Sequence, residues 1–190
     1  MRKIIFLMHV SLDGFVATTE GDMSWLIYNK EIEAYSHDLH ASTDVAIYGR
    51  VTYEMMAGYW PTVLEDPNAG EADLNHARWA NDATKYVVSE TLESVDWVNT
   101  VIIKDNIKEA FTKLKNQPGK DMWLLGSPRL AQSLMELDLI DEYRLNINPV
   151  ILGSGMPLFK DGAQRKNLEL VKTTNFDGGV IGAIYVPVRN

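Results

Sequence analysis

The chain contains no cysteine, and this absence excludes several chemistries at once. Without a thiol there is no cysteine nucleophile, no disulfide framework, no thiolate zinc site and no iron–sulfur cluster. With 190 residues, of which 46% are hydrophobic, the chain is long enough to bury a core without covalent or metal support. No linker divides it, so we expect one domain over residues 1–190.

Basic residues are also scarce, since 18 Lys and Arg face 26 Asp and Glu and give a net charge of -8. A broad nucleic-acid surface or an anionic-membrane surface needs a basic face, so we expect neither partner. No stretch approaches the roughly 18 apolar residues of a membrane span. The apolar run at residues 4–8 is too short for a signal peptide, and we therefore expect a cytoplasmic protein.

Short apolar runs recur along the chain and predict an α/β fold. The earlier runs are continuous and β-branched, as in strands that are buried on both faces of a mainly parallel sheet. The last two are joined by NFDGGV, a hairpin-turn pattern that predicts an antiparallel C-terminal edge. The predicted strands cover residues 3–10, 45–48, 86–88, 101–103, 122–125, 142–152, 168–173 and 180–188.

Helical spacing of apolar residues fills the gaps between these strands. The spacing predicts helices over residues 30–41, from Arg50 onwards, over 107–115 and from Pro128 onwards, with a short helix at 71–79. Ser127 stands at the N-cap position of the fourth helix, and Pro128 at its first position.

Small and polar residues follow three predicted parallel strands, at the point where each strand ends. Such ends lie side by side in an open α/β sheet, where helix N-termini attract anions. The pattern predicts a nucleotide across them, with Arg50 and Arg129 at phosphate groups; ordinary strand-to-helix caps are the alternative. The residues concerned are Gly49, Arg50, Thr52, Ser89, Thr91, Gly126, Ser127 and Arg129.

The chain has no G-x-G-x-x-G after its first strand, which excludes a Rossmann fingerprint. Its one Gly-x-Gly, at residues 153–155, precedes Met156 and Pro157; it is either a tight turn, which the sequence favours, or a pocket border. Asp13-Gly14 is typical of a turn but also places a carboxylate beside the predicted cleft.

Two histidines, His37 and His40, lie three residues apart on the first helix. A metal site needs further ligands that the sequence does not indicate, so we expect no metal. Ser-His-Asp catalysis is also disfavoured, because no G-x-S-x-G elbow occurs. The scattered tryptophans indicate core or lid packing.

Six short motifs occur in an order that covers nearly the whole chain. They are SLDG at 11–14, YGRVTY at 48–53, KYVVSETL at 85–92, LLGS at 124–127, DEY at 141–143 and PVILGSGMPLF at 149–159. With these motifs the chain resembles the dihydrofolate-reductase-like superfamily. It resembles most closely the stand-alone relatives of the C-terminal reductase domain of the bifunctional riboflavin-biosynthesis deaminase-reductase.

The resemblance implies a three-layer α/β/α fold, a homodimer and an NADPH-dependent reductase that acts on a small molecule. It implies that Arg50 and Thr52 meet the cofactor phosphates, that Ser89 and Thr91 lie at its adenosine end, and that residues 126–130 cradle the pyrophosphate. The implied cofactor-binding set is Gly49, Arg50, Thr52, Ser89, Thr91, Gly126, Ser127, Pro128, Arg129 and Leu130. The expected substrate-binding set is Trp25, Gly153, Ser154 and Gly155.

This sequence departs from the superfamily at two positions. The usual Gly-Gly after the fifth strand is Gly126-Ser127 here. Dihydrofolate reductase carries a carboxylate one turn after its tryptophan. In this sequence Lys30 and Glu31 lie on either side of that position.

The expected reaction is hydride transfer from NADPH to an electrophilic carbon of a pyrimidine- or pterin-type small molecule, either a C=N or a sugar carbonyl, with a proton delivered to the heteroatom. Asp13 is the first candidate for the proton relay and Glu31 the second, and either needs a raised pKa. Dihydrofolate reduction is one alternative, and a non-catalytic nucleotide-binding protein is another. The zinc-dependent deaminase step is excluded, because it requires cysteine ligands.

Overall fold

The computed structural model describes residues 1–189, which form ten strands and five helices. The strands are β1 (Ile4–Ser11), β2 (Phe15–Ala17), β3 (Thr43–Gly49), β4 (Thr84–Val88), β5 (Thr100–Ile103), β6 (Asp121–Leu125), β7 (Glu142–Asn148), β8 (Met156–Pro157), β9 (Leu168–Asn175) and β10 (Ile181–Pro187). The helices are α1 (Lys30–Ser42), α2 (Arg50–Val63), α3 (Glu71–Asp82), α4 (Ile107–Lys115) and α5 (Pro128–Glu136).

Eight strands form one sheet in the order β5-β4-β3-β6-β1-β7-β10-β9. The six from β5 to β7 are parallel, whereas β10 is antiparallel to both β7 and β9. The predicted α/β class, with a mainly parallel sheet and an antiparallel C-terminal edge, is confirmed. The predicted hairpin turn is also confirmed, since Gly178 and Gly179 have φ angles of 82° and 83° and Phe176 pairs with Val180.

Helices cover both faces of the sheet and create two hydrophobic layers. On one face α4 and α5 bury Phe111 and Leu134 against the central strands. On the other face α1, α2 and α3 bury Leu39, Tyr53 and Ala80. The domain therefore has the three layers that the resemblance implied. Among residues 1–189, no helix is long and apolar enough to cross a membrane.

The predicted helices all form, and α3 is longer than the short helix expected at 71–79. The small sheet of β2 and β8 was not predicted, because strands of three and two residues leave no pattern in the sequence. The strand predicted over 142–152 ends at Asn148, immediately before Pro149, which has no N–H to donate to a neighbouring strand.

Candidate active site

A cleft of about 500 Å³ opens at the carboxyl ends of β3, β4 and β6, and we call it the strand-end cleft. It brings together residues that the sequence assigned to three separate strand ends. Its lining is Gly49, Arg50, Val51, Thr52, Val88, Ser89, Glu90, Lys104, Ile107, Ser127, Pro128, Arg129, Leu130, Ser133 and Met156. Eight of the ten predicted cofactor residues line it; Thr91 and Gly126 do not.

Of the three helices that begin at this cleft, α2 and α5 differ from α4 and from the rest of the helices. The first turns of α2 and α5 contain no acidic residue and receive no side-chain cap. By contrast, α1, α3 and α4 all carry acids in their first turns, and Asn29 caps α1. An acid in the first turn neutralises the positive end of a helix, and its absence leaves N–H groups for an anion. The N-termini of α2 and α5 are therefore suited to phosphate.

Ser127 links two strand ends instead of capping the helix that follows it. Its hydroxyl accepts a hydrogen bond from the Gly49 N–H at 2.9 Å and donates to the Leu125 carbonyl at 3.0 Å. Gly126 and Ser127 both have positive φ angles, of 52° and 55°. Serine thus occupies the second position of the usual Gly-Gly pair and has a left-handed backbone conformation like that of Gly126, and its buried side chain fixes β3 to β6.

Three cationic side chains line the cleft, and two of them were predicted. Arg50 is half exposed and donates to both carboxylate oxygens of Glu54 at 3.0 Å. Arg129 lies at the start of α5, and Lys104 follows β5. The sequence did not predict Lys104, because β5 is followed by Lys-Asp-Asn and not by the small residues that follow the other strands.

The Ser89 hydroxyl is used within its own loop. It accepts hydrogen bonds from the N–H groups of Thr91 and Leu92, at 3.2 and 3.0 Å. Ser89 itself is buried and lines the cleft, whereas Thr91 is exposed outside the lining. The loop is therefore held in one shape beside the cleft by a serine turn.

Asp13 joins two loops that are far apart in the sequence. Its carboxylate accepts hydrogen bonds from the Ser11 hydroxyl at 2.7 Å and from the N–H groups of Gly153 and Leu152 at 2.7 and 3.1 Å. The Ser11 bond first, and then the two N–H groups, lower the pKa of this exposed carboxyl. A proton relay needs the opposite shift, so the contacts favour a role in holding the 153–155 loop.

The remaining predicted residues lie outside both this cleft and the second cavity described next. The Glu31 carboxylate is exposed and accepts a hydrogen bond from the Asp177 N–H at 3.0 Å. The Trp25 indole N–H donates to the Asp22 carbonyl at 3.3 Å. Gly153, Ser154 and Gly155 form the turn before β8, as the sequence favoured, and neither they nor Trp25 line either of these two cavities.

A second cavity of about 250 Å³ lies between α1, α2, α3 and the ends of β1 and β6, and we call it the histidine pocket. Gly126 lines this pocket, and its neighbour Ser127 lines the strand-end cleft, so the two cavities adjoin at consecutive residues. The lining is Leu7, Met8, His9, Met23, Tyr28, Glu33, Ser36, His37, Met56, Trp60, Asp73, His76, Trp123, Leu125 and Gly126.

Aromatic rings and histidines pack closely beside this pocket. The His40 Nε2 and His76 Nδ1 atoms are 2.9 Å apart, and the Trp60 and His76 ring centroids are 4.2 Å apart. Burial lowers the pKa of His9 and His40 to about 4 each, with His37 adding to the shift of His40. Burial, followed by the neighbouring histidines, lowers the pKa of His76 to about 3. His9, His40 and His76 are therefore neutral at pH 7.

The sequence marked only the spacing of His37 and His40, and it did not predict the pocket. His9 lies near the end of a strand, His76 lies on a helix in an acidic region, and the positions of Trp60 and Trp123 indicate only packing. Only the tertiary fold brings these segments together. Among the described residues, no three His, Asp or Glu side chains are placed to hold a metal ion.

Comparison with proteins of known sequence identifies close relatives over almost the full length. An uncharacterised protein of Bacillus subtilis (strain 168), YyaP, is 38% identical over 186 residues, which cover 97% of this chain and 94% of YyaP. A second protein of the same organism, YwjB, is 29% identical over 180 residues, covering 94% of this chain and 95% of YwjB.

Solved structures share the fold at lower identity. A Shewanella sp. PV-4 protein, provisionally assigned to riboflavin biosynthesis, superposes with a TM-score of 0.76 at 20% identity, covering 98% of this chain and 99% of that one. A pyrimidine reductase-like protein of Corynebacterium diphtheriae superposes with a TM-score of 0.67 at 15% identity, covering 100% of this chain and 93% of that one. The third structure is the Thermotoga maritima diaminohydroxyphosphoribosylaminopyrimidine deaminase/5-amino-6-(5-phosphoribosylamino)uracil reductase. It superposes with a TM-score of 0.69 at 14% identity, covering 98% of this chain and 57% of that one.

The family model described as the RibD C-terminal domain matches residues 2–181. The parallel sheet with its antiparallel edge and this match both agree with the resemblance of the six motifs. The chain belongs to the RibD C-terminal domain family.

Proposed function

We propose that the chain is an NADPH-dependent reductase that transfers a hydride to a C=N or sugar carbonyl carbon of a pyrimidine- or pterin-type small molecule, resembling 5-amino-6-(5-phosphoribosylamino)uracil reductase. One observation carries this proposal. The helices α2 and α5 begin at the strand-end cleft with uncapped, acid-free first turns, and each contributes an arginine there. A dinucleotide has several phosphates to satisfy such donors, and the cleft of about 500 Å³ is large enough for an extended ligand.

The residues of the cleft fit this cofactor. Gly49 directly precedes α2 and has no side chain, so a ligand can approach the backbone closely at this point. Arg50, Lys104 and Arg129 supply positive charge within a protein of net charge -8. When bound, NADPH supplies the hydride, and the protein supplies position and electrostatics.

The acceptor occupies the histidine pocket in this proposal, because that pocket adjoins the cleft at Gly126. Asp13 and Glu31 lie outside it, so we place the source of the proton among the ionisable groups that do face it. These are His9, Tyr28, Glu33, His37, Asp73 and His76. His9 and His76, with their low pKa values, act as neutral hydrogen-bonding partners of the acceptor.

Replacement of Arg50 by alanine tests the phosphate assignment. We expect wild-type protein to bind NADPH more tightly than NADH in calorimetric titrations. We expect Arg50→Ala to weaken NADPH binding about tenfold or more, because a charge-assisted hydrogen bond contributes about 1.5–3 kcal/mol. Binding of NADH falls less, so the preference for NADPH shrinks.

Two variants serve as controls for that titration. Glu54→Gln removes the carboxylate that competes for Arg50 and should strengthen NADPH binding. Arg78→Ala removes an exposed arginine of α3 that lines neither cavity and should leave binding unchanged. A preference for NADPH that survives the loss of Arg50, or no preference in the wild type, contradicts the assignment.

We also propose that the chain forms a homodimer through its antiparallel edge. The edge strand β9 has one free side in the order of the sheet, and Leu170 and Val171 on it are exposed, as is Ile181 on β10. An exposed apolar edge strand favours pairing with a second chain. Sedimentation that detects only a 21.4 kDa species contradicts this proposal.

A further inference from the structure

We propose that the histidine pocket selects an uncharged, planar, unsaturated heterocycle that carries no phosphate group. The proposal rests on the proposed function in taking this pocket as the acceptor site, and it commits that site to one class of substrate. It therefore separates this chain from a reductase of phosphoribosyl compounds, although the fold is shared.

The first support is the charge around the pocket. None of its fifteen lining residues is a lysine or an arginine, whereas two are acids, Glu33 and Asp73. His9 and His76 provide no positive charge at pH 7, because burial lowers their pKa values far below neutrality. Phosphate binding sites use arginine, lysine or free helix N-termini. A phosphate dianion in this pocket would face two carboxylates, and no lysine or arginine of the lining would balance its charge.

The first turn of α3, which reaches the pocket, offers no compensation. The first turn of α3 contains Glu71 and Asp73, and Asp73 lines the pocket itself. These acids occupy the position at which an anion would otherwise meet the helix N-terminus. The first turns of α2 and α5, by contrast, are free of acids. Of the two cavities, only the strand-end cleft therefore has helix N-termini that are suited to an anion.

The second support is the pattern of unsatisfied polar atoms. Trp123 Nε1 and His9 Nδ1 belong to residues of the lining, are buried and have no hydrogen-bond partner among the described residues. Buried polar groups without partners are costly, and a ligand that supplies partners removes that cost. An indole N–H requires an acceptor, which a ring carbonyl or ring nitrogen of a heterocycle provides.

The third support is the shape and the apolar lining. The volume of about 250 Å³ lies below the roughly 300–1,000 Å³ of pockets for drug-sized ligands, so one or two fused rings suit it. Trp60 and Trp123 offer aromatic faces, and Met8, Met23 and Met56 offer polarisable contacts at their edges. A flat ring with polar edges matches this lining, and a charged sugar-phosphate arm does not.

A matched pair of ligands tests the proposal without any turnover. We choose 6-hydroxymethylpterin and its phosphate monoester, which share one ring and differ by the phosphate. Binding is measured by calorimetry and by quenching of tryptophan fluorescence, since Trp60 and Trp123 line the pocket. We expect the unphosphorylated pterin to bind at least tenfold more tightly than the ester. An ester that binds equally or more tightly overturns the proposal, and so does the failure of both compounds to bind.

Variants of the pocket acids link the selectivity to the stated charges. Asp73→Asn should reduce the discrimination between the two ligands severalfold, and Glu33→Gln provides the same test on α1. Glu71→Gln changes an exposed acid in the same turn of α3 that does not line the pocket, and it should leave the discrimination unchanged. Unchanged discrimination in both Asp73→Asn and Glu33→Gln overturns the electrostatic explanation.

The same titrations are made without NADPH, so that a failure of this proposal can be distinguished from a failure of the proposed function. Selective pterin binding in a protein that does not bind NADPH overturns the reductase but retains the selectivity of the pocket. Tight NADPH binding together with preference for the phosphate ester overturns the selectivity of the pocket but retains the proposed reductase.

Discussion

Acidification from pH 7 to pH 5 should reduce the free energy of unfolding by at least about 3–4 kcal/mol, since His9 and His76 contribute about 2 kcal/mol each and the more exposed His40 adds a smaller amount. His9 and His76 have pKa values lowered to about 4 and about 3 in the folded protein, mainly by burial. In the unfolded chain both return to about 6.5.

The sign follows from where protons bind. Below pH 6.5 the unfolded chain takes up protons on both histidines, whereas the folded protein does not until the pH approaches 4. Stability is therefore complete above pH 6.5 and falls as the pH drops from 6.5 towards 4. Carboxyls with lowered pKa values, such as those of Asp13 and Asp138, titrate below this window and so do not account for the change at pH 5.

Urea unfolding at pH 7, 6 and 5 measures this effect. His76→Gln removes one of the two larger contributions, and we expect its loss of stability between pH 7 and pH 5 to be about 2 kcal/mol smaller than that of the wild type. Equal unfolding free energies at pH 7 and pH 5 in the wild type would show that these histidines are not held neutral in the fold.

Substitution of Gly155 by alanine should destabilise the protein by about 2–4 kcal/mol, because it combines overpacking with backbone strain. A Cβ atom at this position would collide with the carbonyl oxygen of Ala17, a backbone atom on the partner strand. The φ angle of Gly155 is 154°, a conformation that residues with a side chain rarely adopt. The pairing of β2 with β8 must open to accept the new atom.

The expected damage extends to the strand-end cleft, because Met156 follows Gly155 and lines that cleft. We therefore expect weaker NADPH binding as well as a lower urea midpoint. Gly153→Ala is the matched control: its φ angle is 74°, but an added Cβ has no atom within 4 Å, so it carries only a backbone cost of about 1–2 kcal/mol. Equal losses in the two variants would contradict a role for the close approach at Gly155.

The fold is largely predictable from the sequence because its main sheet is built from hydrophobic strands with distinct patterns. The parallel strands are continuous apolar runs, and the hairpin between β9 and β10 carries two glycines at its turn. The small sheet is not predictable, since its formation depends on the contact of Gly155 with Ala17, residues 138 positions apart in the chain.

The strand-end cleft is predictable for a topological reason. Parallel strands align their carboxyl ends, so residues that follow separate strands meet at one edge of the sheet. This rule identifies Arg50, Ser127 and Arg129 from the sequence alone. It does not identify Met156, which comes from the small sheet, nor the use of the Ser127 hydroxyl to bind Gly49.

The role of Asp13 depends on contacts that the sequence does not show. The Asp-Gly pair predicts a turn, and the Gly14 N–H does bond to the Ser11 carbonyl at 3.0 Å. The partners of the carboxylate are hidden, because its N–H donors at Leu152 and Gly153 lie about 140 residues away. The histidine pocket is hidden for the same reason, since its side chains come from five elements that no local pattern connects.

Transfer of deuterium tests the central claim most directly. NADPH in which both hydrogens at C4 of the nicotinamide are replaced by deuterium is incubated with the protein and, in turn, an oxidised pterin, dihydrofolate, a ribosylaminouracil and its phosphate ester. We predict by mass spectrometry one deuterium in a reduced, unphosphorylated product, with oxidised NADP formed in equal amount. Tight binding of NADPH with no deuterium in any of the four compounds would contradict a reductase and indicate a nucleotide-binding protein without catalysis.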